Sequence, residues 1–238
     1  MNSNQNTKHS KIISVPGSKL KMHVDNSGFL FGLESILLID FVPNKTYHRA
    51  IDLGCGDGIL ALRLAETRHL EEIWAVELNE TIYERSNTNI ALNGYTGCIK
   101  LLHKDIRKLR GIFQHHSFDL VITNPPFFEP ETDYRCGNDH ERFSRQCFHG
   151  GLRQFIQVAG FLLKQKADLV VLYHPSRLDV LIAELLKTDF QPKTLQILYH
   201  QDGRALFVFL HAAYRGKSGL TILPPKILPS SYKREINC

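Results

Sequence analysis

The sequence predicts an α/β fold in which a mostly parallel sheet carries helices on both faces and closes on a C-terminal antiparallel hairpin. Three observations predict it. Short β-rich runs alternate with stretches of helical apolar spacing from about residue 48 to residue 187. A glycine-rich turn, Asp52-Leu53-Gly54-Cys55-Gly56-Asp57-Gly58, occupies the first strand-to-helix junction. Past residue 190 the pattern changes to two β-rich runs flanking Gln201-Asp202-Gly203-Arg204, which reads as a hairpin.

In chain order, residues 1–10 are polar and short of core formers, so they are expected to be disordered. Residues 35–42 form an apolar run stopped by Pro43, which predicts a short buried helix. Strand 48–53 leads into the glycine turn and a helix over 58–67. Strand 72–77 (Glu-Ile-Trp-Ala-Val-Glu) precedes a helix over 79–93. Strand 98–103 and strand 117–123 (Ser-Phe-Asp-Leu-Val-Ile-Thr) follow. After a long loop come helix 152–163, strand 167–173 and helix 177–187, and then the hairpin strands 194–199 and 205–211. Residues 1–45 are expected to be an N-terminal extension and residues 46–238 the main domain.

The chain has 238 residues, enough for one large domain with a small appendage. Its 43% hydrophobic content supports a buried core, and no apolar run approaches the roughly 20 residues of a membrane span. The first ten residues lack the apolar stretch of a signal peptide, so a cytoplasmic protein is expected. Five cysteines (Cys55, Cys98, Cys136, Cys147, Cys238) without framework spacing read as reduced thiols. A net charge of +5 permits a polyanionic partner without demanding one. Basic residues gather at Lys8, Lys11, Lys19 and Lys21, and again at Arg135, Arg142, Arg145 and Arg153.

The glycine turn has the chemistry of a cofactor cradle. Its glycines allow a sharp turn and close ligand approach, and the following helix presents unpaired N–H groups. The Gly-x-Gly-x-Gly spacing lacks the dinucleotide signature, and the leading Asp52 suits a ligand ammonium where it would repel a pyrophosphate. S-adenosylmethionine is therefore favoured over NAD. Glu77, at the end of the second strand, is placed for ribose hydroxyls, with Leu78 beside it. Asp105 is placed for an adenine amino group, with Ile106 against the ring, although Asp105 also reads as a helix or turn cap.

Asn124-Pro125-Pro126-Phe127 follows the fourth strand, at the edge where open α/β sheets bind ligands. An amide or aromatic NH2 is a poor nucleophile because its lone pair is delocalised. The Asn124 side-chain oxygen and the Pro125 carbonyl can hold both N–H bonds and aim that lone pair at a methyl group. They bind more strongly as the nitrogen becomes cationic, as catalysis requires. The prolines stiffen the turn, and Phe127 offers a stacking face for a flipped base.

Together the two motifs resemble those of class I methyltransferases, which have a Rossmann-like fold, and Asn-Pro-Pro-Phe resembles the branch that methylates amino nitrogens. Within that branch the chain is similar to the bacterial tRNA(Val) adenine-N6 methyltransferases over about residues 20–230. The segment Phe29-Leu30-Phe31-Gly32-Leu33-Glu34-Ser35-Ile36-Leu37-Leu38 matches a family element, with Glu34 where an Asp is usual. His174-Pro175-Ser176-Arg177, Gln191-Pro192-Lys193, Arg204-Ala205, Arg215-Gly216 and 220–225 also follow the family's order. The resemblance implies S-adenosylmethionine-dependent methylation of the exocyclic N6 of the adenosine next to the anticodon, in a monomer that binds tRNA. It implies substrate contacts from Phe31, Glu34, Arg135, Arg142, Arg145 and Arg177. Two departures stand out. Arg145-Gln146-Cys147-Phe148-His149 replaces the family's Arg-His-Glu element, and Phe127 stands where adenine-specific members often have Tyr.

Three other readings compete. Guanine-N2 methylation of ribosomal RNA and glutamine-N5 methylation of a protein use similar clamps, usually beside larger N-terminal domains. A non-catalytic metal- or RNA-binding module on Cys136, His140, Cys147 and His149 matches no standard zinc spacing. Tyr134 and the arginines of that loop, with Lys19, Lys21 and His23, are candidate RNA contacts.

Overall fold

The computed structural model describes residues 11–24, 32–127, 151–230 and 232. Its main sheet is built by β3 (Arg49–Leu53), β4 (Glu72–Glu77), β5 (Ile99–His103), β6 (Phe118–Thr123), β7 (Leu163–Tyr173), β8 (Phe190–Tyr199) and β9 (Ala205–Tyr214). The spatial order is β8-β9-β7-β6-β3-β4-β5. From β7 to β5 every neighbour is parallel, while β9 runs antiparallel to both β7 and β8. Insertion of β9 between β7 and β8 reverses one strand only, and β8 resumes the direction of the rest. Two short strands, β10 (Thr221–Ile222) and β11 (Lys226–Ile227), pair in parallel with β8 and cover that edge.

Both faces of the sheet are covered, as alternate residues of one strand show. Ala50, Leu120, Ile122, Val170 and Leu172 belong to one core cluster, with residues of α1 (Leu33–Phe41), α2 (Ile59–Thr67) and α3 (Glu80–Leu92). Ile51, Leu53, Val121, Leu169 and Val171 belong to the other, with α4 (Leu152–Leu162) and α5 (Leu178–Lys187). Successive residues of a strand point to opposite faces, so near-continuous apolar strands require helices on both sides.

The alternating elements form where expected, with differences at their ends. β8 begins four residues earlier than its β-rich core, and Pro192 lies inside it with a register shift between Pro192 and Thr194. An outer strand tolerates a residue without an N–H, whereas the Gln-Pro-Lys sequence by itself reads as a break. β7 starts at Leu163, directly after α4, where a short connection is expected.

The N-terminal segment also carries a hairpin that apolar patterning does not reveal. β1 (Lys11–Ser14) pairs antiparallel with β2 (Lys21–Val24) across a Pro16-Gly17 turn. Its apolar residues Val15, Leu20, Met22 and Val24 enter the first core cluster. Helix side chains serve as pairing partners for its backbone. Asn93 accepts from Lys21 N–H at 2.9 Å and donates to Lys21 O at 2.7 Å, Asn89 accepts from His23 N–H at 2.6 Å, and Glu66 accepts from Lys19 N–H at 2.7 Å. Asn89 lies in α3 and Asn93 caps its C-terminus four residues on, so the two share one face.

Among the described residues no helix is long and apolar enough to cross a membrane.

Candidate active site at the carboxyl edge of the sheet

Strand order reverses between β3 and β6, and open α/β sheets bind ligands outside the carboxyl ends of their strands at such a switch point. The pairing register fixes what stands there. Leu53 is opposite Thr123, so Gly54 and Asn124 leave adjacent strands side by side. The Thr123 hydroxyl donates to Leu53 O at 2.8 Å and ties the two exits together. On the other side Leu53 is opposite Val76, and Cys55 N–H donates to Val76 O at 2.9 Å, which brings Glu77 next to the glycine turn.

Gly54, Gly56 and Gly58 all have positive φ, at 71°, 56° and 85°. Nothing lies within 4 Å of where a Cβ on Gly56 would project, so the space above the turn is open. Gly58 is different, because a Cβ there would stand 2.7 Å from the Oγ of the fully buried Ser86. Gly58→Ala would combine a left-handed backbone with that overlap. It is expected to cost about 2–3 kcal/mol, lowering the melting temperature. Ser86→Ala in the same chain should recover the steric part only, and equal melting of Gly58→Ala and the wild type would refute the account.

Beneath the turn, Asp52 is fully buried, and neither carboxylate oxygen meets a donor in hydrogen-bonding geometry. Burial raises its pKa to about 8, slightly offset by the nearby Ala61 backbone N–H and increased by the charge of Glu77. Cys55 is buried beside it with its thiol 3.8 Å from Ser86 Oγ, and burial pushes that thiol well up. Asp57, in the same turn, is ion-paired with Arg85 of α3.

Glu77 is turned onto backbone amides. One oxygen accepts from Leu78 N–H at 2.9 Å and Asn79 N–H at 2.8 Å, and the other from Gly56 N–H at 3.0 Å. Burial raises its pKa while these bonds oppose the shift. A carboxylate has about four acceptor positions, so one remains for a ligand donor, where the sequence suggests two hydroxyl contacts.

In the Asn-Pro-Pro-Phe turn Pro125 is buried and Asn124, Pro126 and Phe127 are partly buried. The Tyr173 hydroxyl, at the end of neighbouring β7, donates to Phe127 O at 3.2 Å. The Tyr173 ring meets the Phe127 ring edge-on at 5.7 Å, and His174 lies 6.0 Å from it. Sequence reasoning missed Tyr173 because it reads as the last apolar residue of a strand. Its signal is the alignment of β6 and β7, with Thr123 opposite Val171.

The other expected residues are placed as follows. Asp105 caps the 3-10 turn Ile106–Gly111 by accepting from Arg107 N–H at 2.8 Å, and it is gripped by the Arg107 guanidinium. The cap alternative is thus what the geometry shows, and an adenine contact requires the half-exposed Arg107 to swing aside. Ile106 is buried against the second core cluster, and Leu78 is partly exposed.

Glu34 does not stand on a surface open to RNA. It is fully buried in the first turn of α1, where the positive end of the helix favours a carboxylate, and Tyr232 donates to it at 2.6 Å. Arg177 precedes α5 beyond the end of β7, half-buried, with its Nε lacking an acceptor. Phe31, Arg135, Arg142 and Arg145 lie outside the described residues, as do Tyr134, Cys136, His140, Cys147 and His149. Among the described residues no group of three or more His, Cys, Asp or Glu side chains could hold a metal.

Against known proteins, the family model described as methyltransferase small domain matches residues 31–142. The chain is 35% identical over 111 residues to a Tolumonas auensis protein named tRNA1(Val) (adenine(37)-N6)-methyltransferase, covering 45% of each chain. A Serratia proteamaculans protein of the same name is 30% identical over 154 residues, 63% of this chain and 57% of that one. The chain thus spans about half the length of the curated relatives it matches. Among solved structures, a predicted O-methyltransferase from Agrobacterium tumefaciens superposes with a TM-score of 0.64 at 18% identity, over 81% of this chain and 86% of that one. The M. jannaschii tRNA m1G37 methyltransferase superposes with a TM-score of 0.62 at 17% identity, over 89% and 56%. The fold is therefore the Rossmann-like fold of methyltransferases.

Proposed function

We propose that this chain, which carries the methyltransferase small domain on a Rossmann-like sheet, is an S-adenosylmethionine-dependent methyltransferase acting on the N6 amino group of an adenosine in tRNA. The observation that carries the reading is the side-by-side exit of Gly54 and Asn124 at the switch point of the sheet. The named adenine-N6 relatives support adenosine as the acceptor.

The cradle fits the cofactor on three grounds. The space over Gly56 is open, Asp52 is buried beneath it without a hydrogen-bond donor and ionises more readily beside a cation, and Glu77 retains one acceptor position. When bound, S-adenosylmethionine supplies a methyl group on a positively charged sulfur. Because Asp52 is enclosed, it would act on the ligand's positive end through its field rather than by contact. Asn124 Oδ1 and Pro125 O accept the two N–H bonds of the target amine and keep its lone pair directed into the crevice. Tyr173 holds the Phe127 carbonyl and so stiffens the turn that carries both acceptors. Phe127 stacks on the extruded base at its accessible side. No residue need remove a proton before transfer, because the amine becomes acidic only once it is alkylated.

We assign the catalytic unit to residues 46–238, with 1–45 as its adjunct, and place the protein in the cytoplasm as a monomer. The test uses radiolabelled cofactor with tRNA, ribosomal RNA and protein extract, followed by mass spectrometry of the RNA nucleosides and of the hydrolysed protein. Label in tRNA as N6-methyladenosine is expected. N2-methylguanosine or N5-methylglutamine would overturn the adenine reading, and no incorporation at all would overturn the enzyme reading.

A further inference from the structure

We propose that the β1–β2 hairpin is a phosphate-binding surface that receives the backbone of the RNA substrate. The inference rests on the RNA reading above and extends it to a part of the chain outside the crevice. Residues 11–24 contain Lys11, Lys19 and Lys21 and no acidic residue. All three lysines are exposed, and among the described residues none of them forms an ion pair. On the body of the domain Lys45, Lys100, Lys164 and Lys187 are each held by a carboxylate, while others such as Lys104 and Lys166 are unpaired among the described residues but do not share one short acid-free segment. The hairpin thus offers uncommitted positive charge.

Among the described residues one carboxylate is hydrogen-bonded to the hairpin, and it does not neutralise it. Glu66 is occupied by the Ser18 hydroxyl, the Lys19 backbone N–H and the Arg63 guanidinium, and leaves the Lys19 ammonium free. Pairing places Lys21 and His23 opposite Ser14 and Ile12 on the outward face, while Met22 and Val24 point into the core. Lys19 stands at the turn beside Lys21, whereas Lys11 is paired with Val24 and leaves the other face of the hairpin at its open end, exposed.

Its position relative to the crevice is set by one buried side chain. Asn89 accepts from His23 N–H and donates to Asp57 O in the glycine turn at 3.1 Å. Asn89 thus bridges the backbone of β2 and the glycine turn directly. The hairpin is also rigid where it needs to be, because Asn89, Asn93 and Glu66 fix its backbone and leave only the lysine stems to adapt. Lysine is a point charge on a flexible stem, which suits phosphates of varied orientation.

The experiment compares the full-length wild type with Lys11→Gln/Lys19→Gln/Lys21→Gln. Binding of bulk tRNA is titrated between about 50 and 200 mM salt, and cofactor binding is measured by calorimetry. Loss of up to three phosphate contacts is expected to reduce the slope of log affinity against log salt by about 2–3 and weaken binding about 10- to 100-fold at low salt. Cofactor affinity and melting temperature should be unchanged, because none of these side chains enters the crevice. If the wild type binds tRNA and the triple variant binds it with the same slope, the hairpin assignment is overturned while the RNA reading stands. If the wild type shows no salt-dependent binding, the RNA reading itself falls, and this inference with it.

Discussion

Asn124→Ala is expected to lower the rate of methyl transfer about 10²–10³-fold while leaving cofactor affinity within about a factor of two. The asymmetry follows from where Asn124 stands. It leaves β6 beside the glycine turn, yet the cradle's own groups come from β3, β4 and α3. Removing its carboxamide takes away one of the two acceptors for the target amine. The amine still enters, but its lone pair is no longer fixed, and the positive charge that develops on nitrogen loses its nearest partial negative charge. Substrate KM should change little compared with kcat, because the interaction strengthens as charge develops. Single-turnover kinetics and calorimetry on the same preparation provide the check. Turnover close to wild type, or a large loss of cofactor binding, would refute the clamp.

Asp52→Asn is expected to weaken cofactor binding about 10- to 100-fold and to make the ligand-free protein more stable at pH 8. In the folded chain burial holds the Asp52 pKa at about 8, against 3.8 for the free group. Between those values the folded state keeps a proton that the unfolded chain has released. Stability contributed by this group is therefore highest at about pH 4, falls as pH rises, and is lowest above pH 8. The amide removes that penalty, which is largest above pH 8 and nearly absent at pH 4. Ligand affinity should run the opposite way. A bound cation favours the ionised carboxylate, so wild-type affinity rises from pH 6 to pH 8, and the variant loses that rise. Thermal melts and calorimetry across this range test both halves. A variant that is less stable at every pH would show that Asp52 has a partner after all.

The two experiments probe different sides of the crevice, one through the acceptor amine and the other through the cofactor. Loss of turnover with intact cofactor binding in the first, and loss of cofactor binding with a stability gain in the second, would separate the roles of β6 and β3. Neither variant touches the hairpin, whose contribution is read through the salt dependence of RNA binding.

Much of this site was legible from the chain alone because its signals are local. The alternation of strands and helices follows from side-chain periodicity, and the glycine turn from the conformations only glycine adopts freely. Asn124-Pro125-Pro126-Phe127 is placed by the apolar run that ends just before it. Each reading needs no more than about a dozen adjacent residues. The antiparallel ending was likewise visible, since two β-rich runs around a Gly-containing turn pair with each other first.

Contacts between distant segments were decided by packing. The family resemblance implies a substrate contact from Glu34, yet the chain returns 198 residues later to place the Tyr232 hydroxyl on that buried carboxylate. The lysines of residues 11–24 were visible, but not that Asn89 would dock them against the loop holding Gly56. Periodicity determines which face of an element is apolar. It leaves open which partner covers that face, because long-range pairing depends on the summed geometry of all the intervening crossovers. Sequence therefore placed the glycine turn and the Asn-Pro-Pro-Phe turn at the ends of their strands, and only tertiary structure decided which of the neighbouring charged groups found partners.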